Sequence, residues 1–165
     1  MSETVTTRAA TEGDVGDIVA ALRANRADPS LFQRSPANVR RWISDFLVAR
    51  DGAGRVLGCA ALHRHGADLA EVLSVAVLPA AQGQGIGGLL AEAVLARAGR
   101  AGFGRVWLAT LKPGYFARFG FRPISRWALP STVLLVKAIQ VFRQAPRHWV
   151  PALVGRQTFM LRAGG

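Results

Sequence analysis

Half of the 165 residues are hydrophobic and 19% are charged, which fits a single globular domain, residues 1–165, long enough to bury one core. Cys59 is the lone cysteine and excludes an internal disulfide; with no signal-peptide pattern and no long apolar span, a cytoplasmic protein that stays out of the membrane is expected. The formal charge of +11 admits anionic ligands as well as nucleic acid, but the basic residues are scattered from Arg8 to Arg162 with only small groups such as Arg40-Arg41 and residues 143–148, so nucleic acid is not the expected partner.

Residues 5–8 alternate and are β-rich, which predicts a first strand. A helix follows from Thr11 or Gly13-Asp14, with Val15, Ile18, Val19 and Leu22 at helical spacing. Residues 28–30 read as a loop, and Ser35-Pro36 as the N-cap and first residue of a second helix that reaches about Ile43. Two strands, residues 46–50 and 56–63, flank the turn-forming Asp51-Gly52-Ala53-Gly54 and predict an antiparallel hairpin. The next strand, residues 69–78, stops at Pro79, which cannot donate to a sheet ladder.

From Gly83 to Gly88 four of six residues are glycine, and Leu89, Leu90, Ala93 and Val94 then fall at helical spacing in a helix to about Arg100. Gly102 and Gly104 end it before a strand at residues 105–110. Pro113 opens a short helix, residues 114–119, closed by Gly120 and followed by a brief strand at 121–124. Residues 133–142 predict an apolar helix too short to span a bilayer, suited to the core or to a homodimer contact. It lies in a less typical stretch, residues 125–155, and a last strand covers 157–162. The order of elements predicts an α/β fold with a mixed sheet.

A strand, a glycine turn and a helix start in that order bring unpaired backbone N–H groups and a positive dipole end together, an arrangement that suits phosphate. Gln82-Gly83-Gln84-Gly85-Ile86-Gly87 fits a pattern of Gln or Arg, two residues, Gly, one residue, Gly or Ala. Downstream, Phe116-Ala117-Arg118-Phe119-Gly120-Phe121 has an aromatic residue four before a Gly-Phe pair. On these two motifs the chain resembles the GNAT acetyltransferases, which move an acetyl group from acetyl-CoA to an amine. The resemblance covers roughly residues 5–124 and the final strand. It implies a central splayed mixed sheet flanked by helices, acetyl-CoA as co-substrate, and no metal. It also implies that Gln82, Gly83, Gln84, Gly85, Ile86, Gly87 and Gly88 hold the pyrophosphate, that Val75, Ala76 and Val77 meet the pantetheine arm, and that Phe116 lies beside the cofactor.

Acetyl transfer needs a neutral amine, whereas a free alkyl ammonium has a pKa near ~10, so a proton acceptor is required. Glu71 lies on the strand that enters the loop, and strict alternation puts it on one face with Leu73, Val75 and Val77. The resemblance implies that it is the general base; an exposed strand-end carboxylate, or one paired with an arginine, is the alternative. Many relatives protonate the leaving thiolate with a tyrosine at the position of Phe116, which leaves the neighbouring Tyr115, water, or the amine's own proton as candidate acid. The Val75 N–H is the implied oxyanion donor. His63 and His65, with Arg64 between them, are a weak metal signal and read as solvated strand-end residues, with a substrate-pocket rim as the alternative, and Cys59 as a buried inert thiol. Residues 112–121 look most like members that acetylate amino acids, such as the acetyltransferase domain of N-acetylglutamate synthase. A small-molecule amine is therefore the expected acceptor. The alternatives are a domain that binds acetyl-CoA without turnover and a protein N-acetyltransferase.

Overall fold

The computed structural model describes residues 4–28, 31–142 and 157–163. The basic group at 143–148, the rest of the 125–155 stretch beyond residue 142, and two residues of the 28–30 loop lie outside the described residues. Strand β1 (Thr6–Ala9) leads through a single 3-10 turn into helix α1 (Val15–Ala24). Helix α2 (Pro36–Arg41) starts where Ser35 accepts a hydrogen bond from the Asn38 N–H at 3.2 Å, the predicted cap, and a 3-10 turn at Ile43–Asp45 follows. Strands β2 (Phe46–Arg50), β3 (Val56–Arg64) and β4 (Leu69–Val77) form a meander. Helix α3 (Ile86–Arg100), strand β5 (Arg105–Thr110), helix α4 (Pro113–Ala117), strand β6 (Arg122–Ile124), helix α5 (Ser131–Phe142) and strand β7 (Thr158–Ala163) complete the described chain. These bounds lie within a few residues of those the periodicity predicts.

The seven strands make one mixed sheet in the order β1-β2-β3-β4-β5-β7-β6. β4 and β5 are parallel, and the other neighbours are antiparallel. One face carries α3, whose Ile86, Leu90, Val94 and Ala98 pack on Leu47, Ala60, Leu62, Ala70 and Val72. The opposite face carries α1 and α2, with Ile18, Leu22 and Val39 against Phe46, Val48, Cys59 and Ala61. Each fully buried aliphatic side chain contributes roughly 1.5–3 kcal/mol of transfer free energy, so these two layers fix the sheet between the helices. A third cluster seats Val133 of α5 on Trp107, Leu69 and Leu129. α5 turns Leu135, Val136 and Ile139 to solvent.

Two irregularities interrupt the pairing of β4. Its register with β5 runs only from Leu69↔Arg105 to Glu71↔Trp107, although both strands continue beyond those residues, so they part at their C-terminal ends. Its register with β3 steps from Ala61↔Leu73 to Cys59↔Ala76, three residues of β4 against two of β3, and Ser74 sits in this bulge with φ of 55°. The bulge corrects the expectation of strict alternation. Glu71 and Leu73 face the α1–α2 side, whereas Val75 and Val77 pack on the α3 side.

Candidate active site

Where β4 and β5 part, a cleft of about 570 Å³ opens and runs onto the glycine loop. One wall is β4 from Ser74 to Val77 and the other is Leu108 to Thr110 of β5. The floor is the loop and first turn of α3, with Gln82, Gly83, Gly85, Ile86, Gly87 and Gly88 on its lining. Tyr115 and Phe116 of α4 stand across from the loop. Of the cofactor residues expected from sequence, Gln84 alone is not on this surface; its side chain reaches back to the Ala80 carbonyl at 3.4 Å.

The loop chemistry explains its glycines. Gly83 and Gly85 have φ of 79° and 80°, the left-handed region that a side chain disfavours, and this turns the chain so that α3 begins with its N–H groups toward the cleft. Gly87 is needed for space: a Cβ there would stand 2.8 Å from Tyr115 Oη. The residues present therefore fit a pyrophosphate-bearing ligand, since bare backbone donors converge where side chains are excluded. Asn25, for which the sequence carries no local signal, donates to the Val77 carbonyl at 2.9 Å, and Gln82 bridges Asn25 Oδ1 (3.0 Å) and the same carbonyl (3.1 Å), fixing the corner between β4 and the loop. Arg118 also reaches the loop, with its guanidinium over the Tyr115 ring at 4.1 Å. Across the mouth, Lys112 Nζ lies 3.7 Å from Asp28 Oδ2 and forms an ion pair with it.

On the other face of the sheet lies a second cavity of about 450 Å³. Arg34 and Arg41 bring positive charge to its wall, Phe32 and Trp42 bring aromatic surface, and Asp45, His63 and Glu71 bring titratable groups. Arg34 donates through Nε to Ser74 Oγ at 3.1 Å and through Nη1 to Asn38 Oδ1 at 2.9 Å. Burial pulls its pKa below the ordinary arginine range, opposed by the charges of Glu71 and Asp45. Because Ser74 also lines the cleft, the Arg34–Ser74 contact is the seam between the two cavities.

Glu71 is deeply buried, with its side chain 4% exposed. Lys137 of α5 pairs with Oε1, and His65 Nε2 lies 2.8 Å from Oε2. Burial alone pushes this carboxyl up, but the Lys137 ammonium and the His65 imidazole outweigh it and hold it below the usual carboxylate range. The Lys137 Nζ also stands 5.4 Å from the ring centres of both Phe32 and Trp107. Neither histidine is the solvated strand-end residue expected from sequence. The His65 N–H bonds to the Leu69 carbonyl at 2.8 Å, its ring lies 5.8 Å from that of Trp107, and its side chain is only 7% exposed. His63 Nδ1 is 2.6 Å from Asp45 Oδ2, and its ring meets those of Trp42 (5.0 Å) and His65 (5.1 Å) edge-on. Cys59 is buried as expected, and burial pushes its thiol up to about 12, which keeps it unreactive.

Residues 17–121 match the acetyltransferase (GNAT) family. An uncharacterized N-acetyltransferase of Chlorobaculum tepidum is 37% identical over 62% of this chain and 66% of its own. An amino-acid acetyltransferase of Mycobacterium tuberculosis is 36% identical over 57% of this chain and 55% of its own. The chain thus spans between half and two thirds of these curated relatives. Among solved structures, N-acetylglutamate synthase from Neisseria gonorrhoeae, complexed with coenzyme A and N-acetyl-glutamate, superposes with a TM-score of 0.77 at 27% identity, covering 100% of this chain and 36% of that one. With the match to the family model extending over most of its length, from residue 17 to residue 121, and the parted strands and glycine loop behind it, the chain belongs to the GNAT family of acetyltransferases.

Proposed function

We propose that this chain transfers the acetyl group of acetyl-CoA directly to the amine of a small anionic metabolite, with amino acids as the acceptor class. The observation that carries this reading is the meeting of two cavities at Ser74, one floored by a glycine cradle and the other lined by guanidinium groups. Acetyl-CoA supplies an acetyl group activated as a thioester. The backbone of Gly83 to Gly88 would hold its pyrophosphate, and β4 near Val75 and Val77 would hold its amide-bearing arm. The Val75 N–H would stabilise the oxyanion, since a fixed donor aimed at developing charge lowers a barrier more than it lowers a ground state.

In the second cavity Arg34 would meet a carboxylate with the donors it does not spend on Ser74 and Asn38, and Arg41 adds a second guanidinium to the same wall. An acceptor held there has its amine directed at the seam. This agrees with the N-acetyl-glutamate bound to the Neisseria gonorrhoeae synthase. Glu71 faces the same cavity and fixes negative charge beside the incoming ammonium. Tyr115 contributes the phenol nearest the glycine cradle.

Thiol release from acetyl-CoA with a panel of amino acids, simple amines and peptides tests the reading. Turnover is expected with an amino acid and not with simple amines that carry no carboxylate. Turnover with peptides alone would make this a protein acetyltransferase, and tight acetyl-CoA binding without thiol release from any acceptor would make it a binding domain.

A further inference from the structure

Beside Asp45, whose Oδ2 is held by His63, three titratable groups on the wall of the acceptor cavity or next to it could take the proton that an acceptor ammonium must lose, and their contacts distinguish them. Glu71 has both oxygens engaged, Oε1 by Lys137 and Oε2 by His65. A carboxylate held this way is a weak base, because proton-transfer efficiency follows basicity. His65 spends Nε2 on Glu71 and is not on the cavity wall. His63 is on the wall, and its bond to Asp45 is made through Nδ1. An ionised carboxylate only accepts, so Nδ1 carries the hydrogen, and in the neutral ring Nε2 carries the lone pair. Among the described residues Nε2 has no hydrogen-bond partner.

The position of His63 is no worse than that of Glu71. The two are opposite each other in the β3–β4 register, His63↔Glu71, and share the cavity. Directly opposed residues hold their Cβ atoms ~5 Å apart, so an amine within reach of one is within reach of the other. The backbone that presents Asp45 is itself held: Arg97 of α3 donates to the Ser44 and Asp45 carbonyls. The imidazole is wedged edge-on between Trp42 and His65, which restrains its orientation.

Resting on the acetyl-transfer reading above, we propose that His63, oriented by Asp45, is the general base of the reaction, and that Glu71 is the fixed counter-charge of Lys137 and His65. The acceptor ammonium gives one proton to His63 Nε2. The freed lone pair forms the C–N bond at the acetyl carbonyl carbon while the C–S bond breaks. The second nitrogen proton passes to the departing sulfur, so the products are an amide, a free thiol and an imidazolium that returns its proton to solvent. The charged and titratable groups that face His63 are Asp45 from the 3-10 turn, Arg34 and Arg41 from around α2, Glu71 from β4, His65 beyond β3, and Lys137 from α5 through Glu71.

The test is the pH dependence of acceptor kcat/KM for wild type, H63Q, D45N and E71Q, with acetyl-CoA affinity measured on each as a folding control, together with the ¹⁵N NMR tautomer of the His63 ring. The wild type is expected to show an acid limb that falls away as a single group protonates. H63Q is expected to abolish that limb and to lower the plateau ~100-fold or more. D45N is expected to lower the plateau, because the ring loses the partner that orients it. The ring is expected to carry its hydrogen on Nδ1 in the wild type and to lose that preference in D45N. An acid limb that survives in H63Q, or that disappears in E71Q alone, overturns the assignment, as does a wild-type ring protonated on Nε2 at neutral pH. If the wild type releases no thiol with any acceptor, the acetyl-transfer reading fails and this assignment with it, whereas thiol release with an intact limb in H63Q sinks the base alone.

Discussion

Tyr115 and Gly87 show how two residues 28 positions apart depend on each other. The phenol oxygen occupies the space that a methyl group at position 87 would need. Replacing Gly87 by Ala should therefore displace the ring and weaken acetyl-CoA binding at least tenfold. Removing the hydroxyl as well, in a Gly87→Ala, Tyr115→Phe double variant, should recover part of that loss, because the clash is with the oxygen. Isothermal titration of the four proteins reads the coupling, and strictly additive losses would show that the contact has no energetic weight. Tyr115→Phe alone separates the two roles open to the phenol. A raised Kd for acetyl-CoA with kcat nearly unchanged is expected from its place over the cradle, and a fall in kcat at constant Kd would make it the acid.

At the scale of elements, α5 is joined to β4 by a buried charge pair. Lys137 leaves the apolar cluster of Val133, Trp107 and Leu129 to meet Glu71. Lys137→Met should cost roughly 3 kcal/mol, since it strands a buried carboxylate. Adding Glu71→Leu should return much of it, because the stranded charge goes with its partner. Urea denaturation of the single and double variants measures both. The pH dependence has a defined sign. Glu71 is held below the range of an unfolded glutamate, so the pair stabilises the fold fully above about pH 4.3 and loses that contribution as acid protonates the folded carboxylate. Lys137→Met should flatten this acid-side slope. The same pair ties the seating of α5 to the cavity that Glu71 lines, so a helix without a counterpart in the two sequence motifs is coupled to the proposed site.

At the scale of the whole molecule, a net charge of +11 surrounds a cleft suited to a polyanionic nucleotide. Long-range attraction of this kind raises encounter rates and fades as salt shortens the Debye length to about 8 Å near physiological ionic strength. Stopped-flow association of acetyl-CoA should slow severalfold between low and physiological salt while dissociation changes little; equal rates at both would leave the charge without a role in capture. The order of strands and helices was legible because it rests on local periodicity and on glycine and proline signals. The cradle was legible because its residues are contiguous. What the sequence concealed depends on distance along the chain. Arg34 meets Ser74 across 40 residues, Lys137 comes to Glu71 from a helix beyond β6, and His65 turns inward only because the chain folds back onto the Leu69 carbonyl. The face occupied by Glu71 was hidden for another reason: the bulge breaks the alternation from which a face is inferred, and a serine at positive φ leaves no mark in composition.

Counted residue by residue, that bulge is an excess of one. Between the pairs Ala61↔Leu73 and Cys59↔Ala76, β3 supplies one residue and β4 supplies two. Deleting Ser74 would make the two strands equal, let Ala60 face Val75, and keep Glu71, Leu73, Val75 and Val77 on the faces they already occupy. By the logic of pairing, the shortened protein should fold with a melting temperature no lower than the parent. It should nevertheless lose acetyl-CoA binding, because the kink that turns β4 away from its neighbour and the oxygen that receives Arg34 leave together. Sheet and site thus place opposite demands on this one position: Ser74 is surplus to the ladder, and the two cavities adjoin because the ladder carries a residue that it does not need.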